Sequence, residues 1–263
     1  MRAFALAVAA AASVACGVPL ARLPAGPGVR ATDASAALDQ AIAACRGIRS
    51  LTAEIAVSGS ANGHRVRVRM MVGVAAPASA RLEAVAPFGP PIFIFAATGA
   101  DATLLLPRED RVLRGGRPSE VLDAVAGVPL DASDLRELVT GCASGGDPES
   151  AQARAFGVDW RAVPTSHDGE IYLHREQNGA PWRLVAVTAR SEDGRRWRAD
   201  YLDFQNDFPR TIRLTRGGAS GFDLRLALDQ VETDVSLDAD VFRVRIPASA
   251  APITLEELRR SQR

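Results

Sequence analysis

The chain of 263 residues contains no lysine, three histidines, three cysteines and two tyrosines. All of its basic side chains apart from histidine are therefore arginines, and the 31 of them are balanced by 31 acidic residues. A balanced charge without a basic cluster gives no reason to expect nucleic-acid binding. Apolar residues make up 47% of the chain, which allows a sizeable core and argues against a wholly disordered protein.

Sequence motifs that carry catalysis are also missing. The sequence has no GxSxG, GxGxxG, P-loop or CxxC pattern, and His64, His167 and His174 form no HExxH pair. Asp238 and Asp240 lie close together, but their segment has the composition of a turn, and two carboxylates are too few for a metal site. Because no positioned acid, base or nucleophile can be identified, we expect neither an enzyme nor a cofactor or metal.

The first fifteen residues have the composition of an export signal. Arg2 supplies a positive charge, and residues 3–12 form an apolar run that is too short to span a bilayer. Small residues then precede Cys16 in a pattern that resembles a bacterial lipobox, with Ser13 where that motif most often has leucine. We expect residues 1–15 to be removed as a signal peptide and Cys16 to carry acyl chains such as palmitate, two or more of which would anchor the protein firmly.

The residues after Cys16 suggest a location and a tether. Gly17 stands where an acidic residue often retains lipoproteins in the inner membrane, so we expect the periplasmic face of the outer membrane. The alternative is ordinary cleavage after Ala15, which would leave a soluble periplasmic protein. Residues 16–33 are rich in proline and glycine and lack apolar periodicity, which predicts a flexible tether before a body at residues 34–263.

Two cysteines remain in the body, Cys45 and Cys142. An even number of cysteines in an oxidising compartment is compatible with a disulfide. That bond would close a loop of about 97 residues and contribute about 4–5 kcal/mol by the chain-entropy model. Two separate buried thiols are equally compatible with the sequence.

The body is predicted to be mainly β. From Arg65 to Val74, apolar residues alternate with arginine, which is the period of a half-buried strand. Phe222 to Asp229 alternates in the same way, and Asn62-Gly63 is a strong hairpin signal. Strands are expected at 51–59, 65–74, 81–86, 92–97, 102–107, 158–163, 170–175, 182–190, 196–204, 211–216, 222–231 and 241–246.

Four short helices are expected beside these strands. They are predicted to begin at Asp33 or Ser35, at Ser119, at Asp131 or Ser133, and at Thr254, and to end near Arg46, Gly127, Gly141 and Arg260. Many hairpin-linked strands with one apolar face predict a large antiparallel sheet that curls around that face. The predicted fold is therefore an incomplete antiparallel β-barrel, a half-barrel whose concave face is covered by a few helices.

Two stretches of the sequence resemble the LolB family, the outer-membrane receptors for lipoproteins, within the wider LolA/LolB fold. The first has the family's order of strand, Pro–apolar–Gly turn, strands, helix ending in Gly, Pro, and second helix ending in Gly: Arg81 to Gly89, Ile92 to Ala97, Ser119 to Gly127, Pro129-Leu130 and Leu135 to Gly141. The second comprises Asp193-Gly194, Trp197 to Tyr201 and Phe208-Pro209-Arg210. Extra strand material between Val158 and Arg175 and an appendage after Ile246 depart from the family pattern.

The resemblance implies an apolar cavity that accepts the acyl chains of a lipoprotein from a LolA-like periplasmic carrier, without a cofactor. On this basis the expected cavity lining is Val68, Met70, Val72, Leu224, Leu226 and Phe242. The resemblance also implies a protruding apolar residue at the Pro–X–Gly turn, here Phe88, that helps to deliver lipid into the membrane. The alternatives are a Phe88 ring folded back onto the sheet and, for the whole chain, an accessory envelope lipoprotein whose barrel is filled by its own side chains.

Overall fold

A computed structural model of the chain describes residues 20–143, 145–165, 168–191, 194–218 and 221–261. The predicted signal peptide, Cys16, His167 and Asp193 lie outside the described residues. The strands are β1 (Val29–Arg30), β2 (Ser50–Ala61), β3 (His64–Ala75), β4 (Ser79–Val85), β5 (Phe93–Thr98), β6 (Asp101–Leu106), β7 (Arg111–Arg114), β8 (Arg154–Phe156), β9 (Trp160–Pro164), β10 (Glu170–His174), β11 (Arg183–Arg190), β12 (Arg196–Gln205), β13 (Phe208–Arg216), β14 (Phe222–Thr233) and β15 (Ala251–Pro252). The α-helices are α1 (Ala34–Ala41), α2 (Pro118–Ala126), α3 (Ala132–Thr140) and α4 (Leu255–Ser261), and a 3-10 helix covers Ala239–Phe242.

All of these strands belong to one sheet, in the order β1-β8-β9-β10-β11-β12-β13-β14-β2-β3-β4-β5-β6-β7-β15. Neighbouring strands are antiparallel, except that β15 runs parallel to β7. Within the described residues no ladder joins β1 to β15, so the sheet stays open between its two edges. The predicted class, a mainly β incomplete barrel with a few helices, is confirmed.

The alternating sequences form the long central hairpin of this sheet. β2 and β3 pair along their whole length, from Ser50 opposite Ala75 to Ala61 opposite His64. The two residues between them, Asn62 and Gly63, have φ angles of 50° and 79°. Positive φ at both positions is the signature of a two-residue turn that matches the twist of the strands, as the Asn-Gly signal predicts.

Glycine ends both central helices. Gly127 after α2 and Gly141 after α3 are left-handed, with φ angles of 72° and 67°. A capping box begins α3: the Asp131 carboxylate accepts from the Asp134 N–H at 2.8 Å, and the Asp134 carboxylate accepts from the Asp131 N–H at 3.0 Å. The predicted ends of both helices and the Asp131 cap therefore match the structure.

Two predicted helix caps differ from the structure. Ser119 does not cap α2, because the helix already begins at Pro118, and proline is favoured in the first turn. Asp33 precedes α1 without capping it. Its carboxylate instead accepts hydrogen bonds from Nε and Nη2 of Arg161 at 2.6 and 2.8 Å, so it joins α1 to β9.

The predicted strand at 241–246 is wrong. A 3-10 helix that ends at Phe242 and an extended loop occupy this segment. Nη1 of Arg81, on the outer face of β4, donates to the carbonyl oxygens of Val241 and Arg243 at 3.2 and 3.3 Å. Alternation of apolar and charged residues predicts an extended segment with one apolar face. It does not determine whether the backbone of that segment hydrogen-bonds to a neighbouring strand or, as here, to a side chain.

The prediction of a flexible tether is wrong for residues 20–33. Val29 and Arg30 form β1, which pairs with β8, and Leu23 packs against the outer face of the sheet. Short strands such as β1, β7 and β8 are missed by sequence reasoning because two to four residues are too few to show a period.

The core lies on the concave side of the sheet under α1, α2 and α3. Helix α1 packs on β9, β10 and β11, whereas α3 packs on β3, β4 and β13. Cys45 and Cys142 form a disulfide with a Cα–Cα distance of 5.5 Å, which ties the turn after α1 to the end of α3.

Candidate functional site: an apolar cavity

A cavity of about 380 Å³ lies between the concave face of the sheet and helices α2 and α3. Its volume falls within the range of about 300–1,000 Å³ that is typical of small-molecule sites. The sheet contributes Val57, Ala61, His64, Val66, Val68, Met70, Leu82, Ala84, Phe93, Leu106, Leu214, Leu224 and Leu226. The helices and their ends contribute Leu122, Ala124, Val125, Ala126, Gly127, Val128, Leu130, Leu135 and Leu138.

The period of β3 explains why the sheet side of this wall is apolar. Val66, Val68 and Met70 point inward, while the arginines that alternate with them point outward. These three inward side chains are only half-buried, although they lie on the concave face. The inner wall here is therefore apolar surface that the protein's own side chains do not cover.

Helix α2 is held above this part of the sheet by Arg216, which is buried at the end of β13. Its Nη2 donates to the carbonyl oxygen of Gly127 at 3.3 Å and lies 3.7 Å from a carboxylate oxygen of Asp123. The guanidinium also stacks 4.8 Å from the ring centroid of Phe222. A cation is stabilised at the carboxyl end of a helix, where the backbone carbonyls carry partial negative charge.

Four exposed residues mark the mouth of the cavity: Asn62, His64, Ile92 and Glu109. The tip of the β2–β3 hairpin lies against the end of α2 at this mouth. A Cβ placed on Gly127 would lie 2.8 Å from Nδ2 of Asn62 and would displace this side chain, and the positive φ of Gly127 favours glycine. The mouth is thus bounded by a hairpin turn and a helix end.

Phe88 is the most exposed large apolar residue described, with 90% of its surface accessible. Arg108 fixes the backbone of its turn: Nη2 donates to the carbonyl oxygen of Phe88 and Nε to that of Pro90, each at 3.2 Å. The ring therefore stands in solvent and does not fold back onto the sheet. The turn follows β4, whose Val85 lies opposite Arg69, so it is beside the half of β3 that leads to the hairpin tip.

The predicted lining residues divide into two groups. The structure places Val68, Met70, Leu224 and Leu226 together on the cavity wall. Val72 is 5% exposed and lies in the packed core next to the cavity. Phe242 belongs to the 3-10 helix that packs on the outer side of β4 and β5, because its predicted strand does not form.

Sequence reasoning missed the helix side of the wall. Leu122 and Val125 of α2 and Leu135 and Leu138 of α3 line the cavity, and the three-residue spacing within each pair was the available signal. The helices were expected to cover the sheet, but a period cannot tell a residue that fills a core from one that borders a cavity.

The site offers little reactive chemistry. No group of three or more metal-ligating side chains occurs in the part of the chain that the structure describes. His64 is exposed at the mouth, and His174 packs against Trp160 with a ring-centroid distance of 4.4 Å. What the cavity provides is apolar surface with a polar rim.

None of the helices in the described ranges is long and apolar enough to cross a membrane.

Comparison with known proteins shows a shared fold. No family model matches the chain, and no curated protein matches it. A LolA superfamily protein from Nitrosomonas europaea is 15% identical with a TM-score of 0.57, and the match covers 81% of this chain and 99% of that one. A match to an outer membrane lipoprotein-sorting protein domain from Vibrio parahaemolyticus, 13% identical with a TM-score of 0.50, covers 80% of this chain and 97% of that one. A match to a DUF1329 family protein from Desulfovibrio piger, 12% identical with a TM-score of 0.52, covers 81% of this chain and 98% of that one.

These comparisons define the class of protein. The chain is an open barrel with helices over an apolar cavity, and it shares its fold with a LolA superfamily protein. The resemblance to LolB in particular stays a prediction.

Proposed function

We propose that this chain is an outer-membrane lipoprotein, acylated at Cys16, that binds acyl chains in its apolar cavity. In this role it accepts lipoproteins from a LolA-like periplasmic carrier and inserts them into the membrane, without covalent chemistry. The observation that carries the proposal is a wall of apolar residues, several of them only half-buried, around about 380 Å³ of space. The shared fold and the lipobox-like sequence at Cys16 support it.

Affinity for an acyl chain would come from burial of hydrocarbon. Each methylene transferred from water contributes about 0.8 kcal/mol, so a chain of about ten methylenes gains about 8 kcal/mol before the cost of immobilisation. The exposed polar residues at the mouth, Asn62, His64 and Glu109, would contact the polar group to which the chain is attached. Transfer from a carrier would then run toward the better-fitting cavity.

Phe88 is proposed as the residue that enters the membrane during release. Transfer of a phenylalanine side chain from water into lipid yields about 1.5–3 kcal/mol. This energy is too small to anchor a protein, but it is large enough to bias a local transfer step. Arg108 supports the role because it holds the turn in the conformation that exposes the ring.

Ligand binding is tested by filling the cavity. Val68→Trp places a large side chain into the space that Val68 borders, so binding of a fluorescent fatty acid should weaken by at least about tenfold. Val158→Trp is the matched control, because Val158 is exposed on the turn between β8 and β9, away from the cavity. Mass spectrometry of solvent extracts should also find lipid in the wild type. No extracted lipid and no binding would favour an accessory lipoprotein with the same fold.

Delivery and anchoring are tested separately. Phe88→Glu should leave acyl binding intact while blocking insertion of a lipoprotein into vesicles, and Val158→Glu should not affect insertion. Unchanged insertion by Phe88→Glu would remove this residue from the mechanism.

The anchor is tested by palmitate labelling of the wild type and of Cys16→Ala. Equal labelling of the two proteins would exclude Cys16 as the acylated residue.

A further inference from the structure

Residues 20–28, here called the N-terminal strap, lie across the outer face of the sheet. Leu20 shares a groove with Ser58 and Ser60 of β2 and with residues of β12, β13 and β14. Arg198 of β12 donates from Nη2 to the carbonyl oxygen of Ala21 at 2.8 Å. The strap therefore begins near the middle of the sheet, on the side opposite the cavity.

The rest of the strap continues toward the sheet edge. Leu23 packs in a small cluster with Ala162, Tyr172 and Ala186, which belong to β9, β10 and β11. Nη1 of Arg154, in β8, donates to the carbonyl oxygen of Gly26 at 2.9 Å, and β1 follows at the edge. The strap thus runs over the outer face from the groove of Leu20, past Arg198 of β12, to β8.

The strap is long enough to reach the middle of the sheet. The nine steps from Leu20 to Val29 reach at most about 31 Å. Four strand spacings separate β8 from β12, whose Arg198 holds Ala21, and they require about 19 Å. The strap can therefore bend at Gly26 and Gly28, where φ is positive, and still carry the chain from the sheet edge to β12.

This path determines where an anchor at Cys16 can lie. Three residues lie between Cys16 and Leu20 in the sequence, and the four steps of chain that join them span at most about 14 Å. Ser60, which borders the same groove as Leu20, is two residues from Asn62 at the hairpin tip and the cavity mouth. Without the strap, the anchored segment would leave the body at β1, at the far edge of the sheet.

The same end of the molecule carries the features that suit a bilayer. The Phe88 turn lies there with Arg108 bound to its backbone, and the exposed Arg65 and Arg67 lie on the half of β3 next to it. Ser58 and Ser60, which border the groove of Leu20, are paired with Arg67 and Arg65. Arginine attracts anionic lipid, and each residue near the surface contributes about 1 kcal/mol.

We propose that the strap orients the protein on the membrane, so that the mouth, Phe88 and these arginines form one surface that docks on an anionic bilayer. The inference rests on the proposed function, because it takes the anchor at Cys16 and the delivery role of Phe88 from there. Release of the strap lengthens the free tether from four residues to thirteen. It lowers the local concentration of Phe88 at the bilayer roughly sixfold, because this concentration falls with about the 3/2 power of tether length.

The test couples Cys16 to a maleimide lipid, so that its outcome does not depend on natural acylation. The chain from Cys16 onward, with Cys45 and Cys142 oxidised, is attached to phosphatidylethanolamine–phosphatidylglycerol vesicles with brominated acyl chains. Phe88→Trp serves as the probe, because bromine quenches tryptophan fluorescence. The measured quantity is the quenching of this variant minus the quenching of the protein that has only its native tryptophans. The intact strap should give strong quenching, and Leu23→Asp, which places a carboxylate in the apolar cluster, should reduce the increment about sixfold.

Two controls keep the result specific. Val158→Asp makes the same change at an exposed site off the strap and should leave the quenching unchanged. A chain in which residues 20–28 except Arg22 are replaced by glycine and serine keeps the contour length and the charge, and should behave as Leu23→Asp does. Equal quenching in the intact and both released chains would overturn the proposal, as would no quenching with the intact strap. Loss of fatty-acid binding would instead contradict the proposed function and leave the orientation result standing.

Discussion

The two halves of the sheet are covered by helices in different ways. Under α1, most inward side chains of β9 to β11 are enclosed, as for Val163, Ile171 and Leu173, each 0% exposed. Under α2 and α3, inward side chains such as Met70 and Leu226 are half-buried and border the cavity. We call these regions the filled half and the cavity half. A smaller cleft of about 160 Å³ lies where the filled half meets α3, and Val187 of β11 and Glu137 of α3 are among its lining residues.

The difference shows how one continuous sheet provides both rigidity and a binding space. The α1 region of the filled half is held by the Asp33–Arg161 pair and by the Cys45–Cys142 disulfide, which joins it to the end of α3. The cavity half is closed by helices that end in glycine and are held at their ends. Close packing therefore stabilises one half, and the other is left with apolar surface for a ligand.

The largest expected effect is on the disulfide. Cys45→Ala with Cys142→Ala should lower the free energy of unfolding by about 4–5 kcal/mol, because the bond closes a loop with a sequence separation of 97. Urea denaturation of the variant and of the reduced wild type provides the measurement. Binding of a fatty acid to the folded fraction should persist, since the bond lies outside the cavity. A loss below about 1 kcal/mol would mean that the filled half does not depend on the bond.

A matched pair of leucines compares the two halves directly. Leu173→Ala in the filled half should cost about 3 kcal/mol, because it leaves a void in a closed core. Leu226→Ala in the cavity half should cost about 1 kcal/mol, because its side chain is half-buried and already faces open space. Chemical denaturation of both variants measures the difference. Equal costs would mean that the cavity half is as tightly packed as the filled half.

A smaller effect is expected at the cavity mouth. Gly127→Ala should lower the free energy of unfolding by about 1–2 kcal/mol, because alanine is strained at a φ of 72°. Its Cβ would also displace Asn62 and so open the hairpin tip, which should speed release of a fluorescent fatty acid. Gly63→Ala is the control, since it has a similar φ of 79° but no neighbour within 4 Å. Equal release rates in the two variants would argue against a role of the tip.

The smallest effect is electrostatic. The hydrogen bonds from Arg161 hold the pKa of Asp33 below its usual value. The pair therefore stabilises the fold fully above the unfolded-state pKa of about 3.9, and this contribution is lost as the pH falls through the lower folded-state pKa. Asp33→Asn should cost about 1 kcal/mol at pH 7, since Asp33 is 48% exposed, and should remove this part of the acid sensitivity.

The control for this last effect is Asp39→Asn, which breaks an exposed pair with Arg46 and should change stability little. Thermal unfolding between pH 3 and 7 distinguishes the variants. A pH profile of Asp33→Asn identical to that of the wild type would show that the Asp33–Arg161 pair does not contribute.

Local signals predicted much of the fold. The alternation on β3 and β14, the Asn-Gly turn and the glycines after α2 and α3 are each set by a few neighbouring residues, and the structure reproduces them. The segment around Phe242 was mispredicted because its alternation fits a loop as well as a strand. The strap was missed because its contacts are with residues more than a hundred positions away, such as Arg154 and Arg198.

The sequence alone determined that the protein is mainly β, that its sheet has one apolar face, and that Phe88 occupies a stiff turn between prolines. These features follow from side-chain period and backbone restriction, which act over a few residues. The tertiary structure decided which apolar residues line a cavity and which fill the core. That choice depends on how far a helix stands from the sheet, a distance set by contacts such as that of Arg216 with Gly127, between residues 89 positions apart.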